Sequence, residues 1–280
     1  MQSNPAAVRY LDLLKRCLTR EIFREQEVQD AWWEPDDVLG DPGEVQARFR
    51  ARGMRIVRPA RPPGEVARDQ DWMPNAETMC GLARLDNVQD LVTRALTEEV
   101  PGDLVETGVW RGGSVILMRA LLEAYGDPSR SVWVCDSFEG LPEPDTDRYP
   151  ADSEWVSRTP LDDVLRATLV VPLETVQAHF ARYDLLDDRV RFLKGWFKDT
   201  LPTAPIDRIA VLRLDGDLYE STMDDLVALE PRVSPGGFVI VDDFNGIDSC
   251  RQAVLDYREQ RGIDSPINRV DWTAVWWRKP

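Results

Sequence analysis

Two apolar runs in the second half of the chain each end abruptly in acidic residues. The runs cover residues 209–214 and 238–241, and the acids that follow them are Asp215, Asp217, Asp242 and Asp243. Short continuous apolar runs are typical of strands buried on both faces of a parallel sheet. Because ligands collect outside the carboxyl ends of such strands, we expect these acids to meet in one crevice if the strands are neighbours.

A strand, a glycine turn and a helix are predicted upstream, over residues 103–123. The run ending in Glu106-Thr107-Gly108 leads to Gly112-Gly113-Ser114 and then to an apolar helical pattern. Glycines allow the backbone to approach a ligand closely, and a helix N-terminus offers free N–H groups. A second strand, residues 131–135, ends in Asp136, where an acid can accept hydrogen bonds from a ribose diol.

Further elements follow from periodicity. Apolar residues at three- and four-residue spacing predict helices over residues 6–25, 78–96 and 173–186. The first helix carries a stripe made of Val8, Leu11, Leu14, Leu18 and Ile22. Residues 189–194 predict a further strand before a glycine turn, and the alternating tail, residues 268–279, predicts a closing antiparallel hairpin. The alternation of strands and helices predicts an α/β fold.

Two segments are too rich in Pro, Gly and Asp to form long regular elements. For residues 32–74 our hypothesis is that parts fold over the acceptor, because Trp32, Trp33 and Trp72 stand among polar residues. Residues 141–160 are either a lid that excludes water or a surface insertion whose Trp155 packs on the core.

Composition excludes several classes of protein. The chain has 280 residues and a formal net charge of −16, which argues against nucleic-acid binding. Its cysteines, Cys17, Cys80, Cys135 and Cys250, have no metal-ligand or disulfide spacing. We expect no membrane span and a cytoplasmic location. His179 is the single histidine, so general-base work falls mainly to carboxylates, Lys, Tyr or a metal-bound oxygen.

Acids gathered in one crevice repel one another, and a hard divalent cation relieves that repulsion. We therefore predict a site for Mg²⁺, Mn²⁺ or Ca²⁺. An alternative is that Asp217 and Asp243 cap the helices that follow them, and both interpretations can hold for different members of the group.

Several motifs in the same order resemble those of the macrocin O-methyltransferase family. They are ETGVWRGGS, CDSFEGLP, RFLKGWFKDTLP, LRLDGDLYEST and SPGGFVIVDDF, and the resemblance covers residues 75–279 and the opening helix. It implies a class I methyltransferase fold, a doubly wound Rossmann-like sheet that is mostly parallel. It also implies transfer of a methyl group from S-adenosylmethionine to a sugar hydroxyl of a glycosylated natural product, with Mg²⁺. Glu77 stands where the family usually has His, which puts any role at that position in doubt.

The resemblance and the motifs together give a set of candidate site residues. Asp215, Asp242 and Asp243 are expected to bind Mg²⁺, with Mn²⁺ as the substitute. Asp215 is the first candidate for the base that accepts the hydroxyl proton, and Asp217 is the second. The expected cofactor-binding residues are Thr78, Met79, Glu106, Thr107, Gly108, Val109, Ser114, Asp136, Ser137, Phe138, Gly195, Trp196 and Asp215.

We expect two regions and a homo-oligomer. Residues 1–75 form an N-terminal helix and an irregular segment for acceptor covering or oligomerisation, and residues 76–280 form the methyltransferase domain. The competing functions are a metal-dependent hydrolase or phosphotransferase, a nicotinamide-dependent sugar oxidoreductase and a noncatalytic cofactor-binding scaffold. The chain lacks the GxGxxG and P-loop motifs that two of these would use.

Overall fold

A seven-stranded sheet lies at the centre of the computed structural model, which describes residues 4–36, 38–60, 73–153 and 168–280. Its strands are β3 (Asp103–Thr107), β4 (Val132–Asp136), β5 (Val190–Lys194), β6 (Ile209–Leu214), β7 (Val233–Val241), β8 (Asn268–Arg269) and β9 (Val275–Arg278). The order across the sheet is β5-β4-β3-β6-β7-β9-β8. β3 to β7 are parallel, and β9 is antiparallel to both of its neighbours.

Helices cover both faces of this sheet. The helices that lie wholly within the described residues are α1 (Pro5–Leu18), α2 (Pro42–Arg50), α3 (Leu82–Thr97), α4 (Gly113–Ala124), α5 (Leu173–Arg182), α6 (Phe197–Thr200), α7 (Tyr219–Leu229) and α8 (Asp248–Arg261). α1, α3, α4 and α5 share one hydrophobic cluster with the sheet, and α7 and α8 share the other. Neighbouring strand residues such as Val211 and Leu212 enter opposite clusters, because side chains alternate across a strand.

The predicted fold class is confirmed. The buried strands, the switch in strand order at β3 and β6, and the closing hairpin of β8 and β9 make a doubly wound, mostly parallel α/β sheet. This order places the carboxyl ends of β3, β4, β6 and β7 side by side. The acids that follow β6 and β7 therefore meet the glycine turn that follows β3.

The helices predicted from periodicity are shorter than expected. α1 ends at Leu18, because Arg20 adopts a left-handed φ of 62° and a 3₁₀ turn, Glu21–Gln26, follows. Both ends of its predicted stripe are exposed, Val8 to 42% within α1 and Ile22 to 44% in the 3₁₀ turn. α3 begins only at Leu82, so the preceding residues from Thr78 are not helical. α5 ends at Arg182.

The Pro-rich N-terminal segment contains more regular structure than its composition indicates. Asp41 caps α2, its Oδ1 accepting the N–H of Glu44 at 2.9 Å. β1 (Val28–Asp30) and β2 (Val57–Pro59) form a small antiparallel sheet.

Trp72 and Trp155 lie outside the described residues, so the hypotheses that name them stay predictions. None of the helices described is both long and apolar enough to cross a bilayer.

Candidate functional site

A cavity of about 370 Å³ lies at the carboxyl ends of β3, β4, β6 and β7. It brings together most of the residues predicted from the sequence: Thr78, Met79, Glu106, Gly108, Val109, Ser114, Asp136, Ser137, Trp196, Asp215, Asp217, Asp242 and Asp243. The remaining candidates, Thr107, Phe138 and Gly195, are not among its lining residues. Thr107 is fully buried, and its hydroxyl donates to Asp225 at 2.7 Å.

The glycine turn after β3 lets two strand ends touch. Gly108 has a φ of +77°, and a Cβ there would lie 1.9 Å from the carbonyl oxygen of Asp215. The backbone N–H of Asp215 in turn donates to the carbonyl of Thr107 at 2.9 Å. Only glycine combines this left-handed backbone with so close an approach, so Gly108 sets the distance between the β3 turn and the first acid of β6.

The floor of the cavity beside this turn carries a buried acid. Glu106 is 1% exposed, and its Oε1 accepts from the Ser114 hydroxyl at 2.5 Å. Burial raises the pKa of Glu106 to about 7. Its second oxygen, Oε2, has no hydrogen-bond partner in the described part of the chain. An unpaired buried acceptor in a cavity is a position where a ligand's donor group would bind favourably.

Asp136 closes the other side of the turn. Its Oδ2 accepts the backbone N–H of Val109 at 2.8 Å, and its Oδ1 accepts that of Phe138 at 2.7 Å. Burial raises the pKa of this carboxyl, and the backbone hydrogen bonds oppose that rise. Each carboxylate oxygen can accept more than one hydrogen bond, so Asp136 retains capacity for a ligand's hydroxyl groups.

Arg213 lies among the acids. Its guanidinium is 1% exposed and donates to Glu106 Oε1 at 2.5 Å and to Asp215 Oδ2 at 2.9 Å. It also donates to Asp242 and to the thiol of Cys80. A buried guanidinium is tolerated only with such partners. Arg213 thus links the acid at the end of β3 with those at the ends of β6 and β7.

A second arginine holds the far side of Asp242. Arg84 of α3 donates to Asp242 Oδ2, and its Nε donates to Asp271 at 2.8 Å. Asp271 caps the turn before β9 by accepting the N–H groups of Thr273 and Ala274. This turn carries Trp272, whose ring centroid lies 6.0 Å from the Arg84 guanidinium and whose side chain lines the cavity.

Asp215, Asp242 and Asp243 form a group that fits a metal ion. One carboxylate oxygen from each lies within 4.8 Å of the others. Burial, together with the charges of Asp217 and Asp215, raises the pKa of Asp243 well above its usual value. Oδ2 of Asp243 is buried and has no hydrogen-bond partner among the described residues. Oxygen donors in this arrangement suit a hard divalent cation, which would remove the repulsion between them.

Asp217 is the fourth acid of this carboxylate cluster. It adopts a left-handed φ of 57° two residues before α7 begins, an uncommon conformation for a residue other than glycine. Burial, and then the charge of Asp215, raises its pKa to about 7.

The alternative that Asp217 and Asp243 cap the next helices is wrong. α7 and α8 start after Leu218 and Ile247, and neither helix has a cap from its own N-terminal side chains.

Sequence reasoning missed several residues of the cavity. They are Cys80, Arg84, Trp110, Gly140, Leu141, Pro142, Leu169, Lys198, Arg213, Gly216, Glu220, Ser221, Asp224, Trp272 and Thr273. One of them had a signal: Arg213 is a charge inside an otherwise apolar strand, which requires buried partners. Arg84 and Trp272 had none, because they reach the site from α3 and from the turn before β9.

Other residues considered from the sequence lie away from the cavity. His179 is buried in α5, and its Nδ1 lies 2.8 Å from the carbonyl oxygen of Arg111. This contact gives His179 a structural role in packing α5. Glu77 is also buried, and its Oε1 accepts from Arg182 at 3.3 Å. Trp32 is 65% exposed, and the indole of Trp33 donates to the Gly40 carbonyl. None of these four side chains is among the described residues that line the cavity.

The macrocin O-methyltransferase family profile (TylF) matches residues 7–279 of the chain. An enzyme of Streptomyces olivaceus named 8-demethyl-8-(2,3-dimethoxy-alpha-L-rhamnosyl)-tetracenomycin-C 4'-O-methyltransferase is 52% identical over 269 residues, which cover 96% of this chain and 92% of the relative. Mycinamicin III 3''-O-methyltransferase of Micromonospora griseorubida is 46% identical over 270 residues, 96% of each chain.

A solved structure also matches over nearly the whole length. The O-methyltransferase NovP aligns with a TM-score of 0.78 and 41% sequence identity, covering 98% of this chain and 99% of that chain. Both the sequence and the structural matches extend across the N-terminal segment as well as the sheet. The whole architecture described above, including α1 and the small sheet, therefore falls within the matched region.

Proposed function

Because the chain belongs to the macrocin O-methyltransferase family and is an O-methyltransferase, we propose that it methylates a hydroxyl of a deoxysugar on a glycosylated antibiotic or related natural product. We propose S-adenosylmethionine as the methyl donor and Mg²⁺ as the metal. One observation carries the proposal: a single cavity joins the glycine turn of β3 to the carboxylate cluster of β6 and β7. The relative named for a rhamnosyl tetracenomycin supports a sugar acceptor.

The donor fits the half of the cavity formed by β3 and β4. S-adenosylmethionine, when bound, supplies an activated methyl group on a sulfonium. Asp136 would accept hydrogen bonds from the ribose hydroxyls, and the unpaired Oε2 of Glu106 would accept from the amino group of the methionine end. Gly108 and Ser114 shape this end, and Trp196 lines the cavity beyond β5, where its ring could stack on adenine.

The acceptor fits the half formed by β6 and β7. Mg²⁺, when bound, supplies a Lewis acid that lowers the pKa of a coordinated hydroxyl. Asp215, Asp242 and Asp243 would hold it, which the short distances between their oxygens support. Arg213 and Arg84 fix the orientation of Asp242 by donating to its two oxygens. The ring of Trp272 offers an apolar surface on the same side of the cavity.

Asp217 is the better candidate for the base. Asp215 already accepts from Arg213 at 2.9 Å and belongs to the metal group, and both contacts lower its affinity for a proton. Asp217 lines the same cavity and belongs to neither the arginine network nor the three predicted metal ligands in the part of the chain described. We therefore assign Asp217 the role of accepting the hydroxyl proton and Asp215 the role of metal ligand.

The experiment that tests this function is calorimetric titration of metal-free protein with S-adenosylhomocysteine, repeated with Mg²⁺ and with a panel of glycosylated acceptors. We expect S-adenosylhomocysteine to bind without metal. We expect the glycosylated acceptor to give a heat of binding only when Mg²⁺ is present. Transfer is then followed as release of S-adenosylhomocysteine from the donor. If acceptor binding and turnover persist in the presence of a chelator, the proposed role of Mg²⁺ is rejected. If S-adenosylhomocysteine does not bind, S-adenosylmethionine is rejected as the methyl donor. Donor binding without turnover on any acceptor would reject the sugar-hydroxyl assignment.

A further inference from the structure

The helix that follows the proposed base has no cap of its own. α7 begins at Tyr219, and its N-cap residue, Leu218, makes no side-chain hydrogen bond to the helix. The first N–H groups of a helix have no intrahelical partner, so they need an acceptor from elsewhere. Asp217 lies immediately before Leu218, and its left-handed backbone requires support from both sides.

A distant acid supplies that acceptor. Asp152 lies in the segment after β4, and its side chain is fully buried. Its Oδ1 accepts the backbone N–H of Tyr219 at 2.7 Å, and its Oδ2 lies 3.5 Å from the N–H of Glu220. A carboxylate at this position satisfies the free donors and is also favoured by the positive end of the helix dipole.

Aromatic contacts hold the two segments together around this cap. The rings of Tyr149 and Tyr219 lie with their centroids 5.5 Å apart. The N–H of Asp152 donates to the Tyr149 carbonyl at 3.0 Å, and the Tyr219 hydroxyl donates to Asp256 of α8 at 2.9 Å. The start of α7 is therefore fixed from the β4 segment on one side and from α8 on the other.

We propose that Asp152 is a positioning residue for methyl transfer, a role that rests on the proposed function. By capping α7 it fixes the peptide between Leu218 and Tyr219, one residue beyond Asp217, and so it holds the Asp217 carboxylate in the cavity. The N–H of Leu218 donates to the Gly216 carbonyl at 2.6 Å, which completes a tight turn around Asp217. Loss of the cap would release this turn and move the proposed base away from the acceptor hydroxyl.

The test compares Asp152→Ala, Asp152→Asn and the control Asp103→Asn. Asp103 also accepts a backbone N–H, that of Ser131 at 2.9 Å, but it lies at the opposite end of the sheet. Measurements are amide hydrogen exchange of residues 219–222, affinity for S-adenosylhomocysteine by calorimetry, and kcat and KM for an accepted glycoside. Exchange is measured on the full-length protein without ligands.

We expect Asp152→Ala to speed exchange at residues 219–222 and to lower kcat on the order of 10- to 100-fold, as small displacements of a reacting group do. Affinity for S-adenosylhomocysteine should stay within about twofold, because Asp152 does not line the donor half. Asp152→Asn keeps an oxygen acceptor and should restore most of the protection and turnover. Asp103→Asn should change neither.

Three results would overturn the proposal. Unchanged exchange in Asp152→Ala would show that the cap is dispensable. Faster exchange with wild-type kcat would separate the cap from catalysis. An equal loss of kcat in Asp103→Asn would indicate general destabilisation. Should Asp152→Ala not fold, Asp152→Asn decides the matter through its kcat and the exchange at the same residues. A wild-type enzyme that transfers no methyl group would instead reject the proposed function, while the exchange data still report on the cap.

Discussion

At the scale of single residues, two buried arginines organise the acids of the cavity. Arg213 contacts acids from three strand ends, and Arg84 holds the second oxygen of Asp242. Removing one partner from such a network leaves an uncompensated buried charge, which is strongly destabilising. Asp242 is therefore held through both of its oxygens, whereas Oδ2 of Asp243 has no hydrogen-bond partner among the described residues and stays available for chemistry.

The different roles proposed for Asp217, as the base, and Asp215, as a metal ligand, give a first prediction. Asp217→Asn should lower kcat by about 10²- to 10⁴-fold, the usual contribution of a general base, with Mg²⁺ affinity little changed. Asp215→Asn should weaken Mg²⁺ binding and recover part of its turnover at high Mg²⁺. Initial rates across a Mg²⁺ titration and calorimetry with Mg²⁺ distinguish the two. Asp207→Asn, at an exposed acid, is the matched control. Full turnover of Asp217→Asn at saturating Mg²⁺ would return the base role to Asp215.

Asp136 gives a second prediction at this scale. Asp136→Asn should weaken binding of S-adenosylhomocysteine at least about tenfold, because hydrogen bonds to a charged group contribute about 1.5–3 kcal/mol each. The asparagine oxygen can keep only one of the two backbone hydrogen bonds, because the N–H groups of Val109 and Phe138 bond to different carboxylate oxygens, so the fold of the variant is checked separately. Calorimetry measures the affinity, and thermal unfolding checks the fold. An unchanged Kd in a folded variant would refute the ribose contact.

At the scale of elements, the site depends on how closely two strand ends approach each other. The turn after β3 presses against the backbone after β6, so the donor half and the carboxylate cluster share one wall. The start of α4 is similarly close to the segment before α3: a Cβ on Gly113 would lie 2.7 Å from the Glu77 carbonyl oxygen. These contacts between backbones leave no room for side chains.

Gly108→Ala tests the contact between the β3 turn and β6. The new methyl group would overlap the Asp215 carbonyl, so we expect lower stability, weaker donor binding and loss of turnover. Gly126→Ala is the control, because Gly126 has a similar φ of +69° but nothing within 4 Å of its Cβ position. Backbone strain alone should cost both variants a similar, smaller amount. Equal losses of stability and donor affinity in the two variants would show that the close approach is unimportant.

At the scale of the whole molecule, the N-terminal region is fastened to the segment that leads into the cavity. Glu27 is 1% exposed and accepts from Arg20 at 2.8 Å and from the side chain of Asn75 at 2.8 Å. The N–H of Glu77 donates to the Leu18 carbonyl, and the Arg111 guanidinium donates to the carbonyls of residues 74 and 76. The division at residue 75, the homo-oligomer and the cytoplasmic location stay predictions.

Glu27→Gln tests this attachment. It weakens the hydrogen bonds of a buried carboxylate to Arg20 and Asn75, so we expect the free energy of unfolding to fall by about 1–3 kcal/mol. Donor affinity should fall as well, since residues 78 and 79 line the cavity just beyond the attachment. Glu25→Gln, at an exposed acid, removes the same charge and should leave both unchanged. Denaturant unfolding and calorimetry give the two quantities, and equal effects of the two substitutions would contradict the attachment.

By itself, the sequence determined the fold class and the acids of the site. Local hydrophobic patterns predict the buried strands and the helices that alternate with them. Because parallel strands have their carboxyl ends at one edge of the sheet, the acids after residues 214 and 241 could be placed together. Only the tertiary structure decided what surrounds them. Arg84, Asp152 and Trp272 reach the site from segments far away in the chain, and no local periodicity encodes such contacts. The end of α1 has a distant partner of the same kind, because the Leu18 carbonyl accepts the N–H of Glu77.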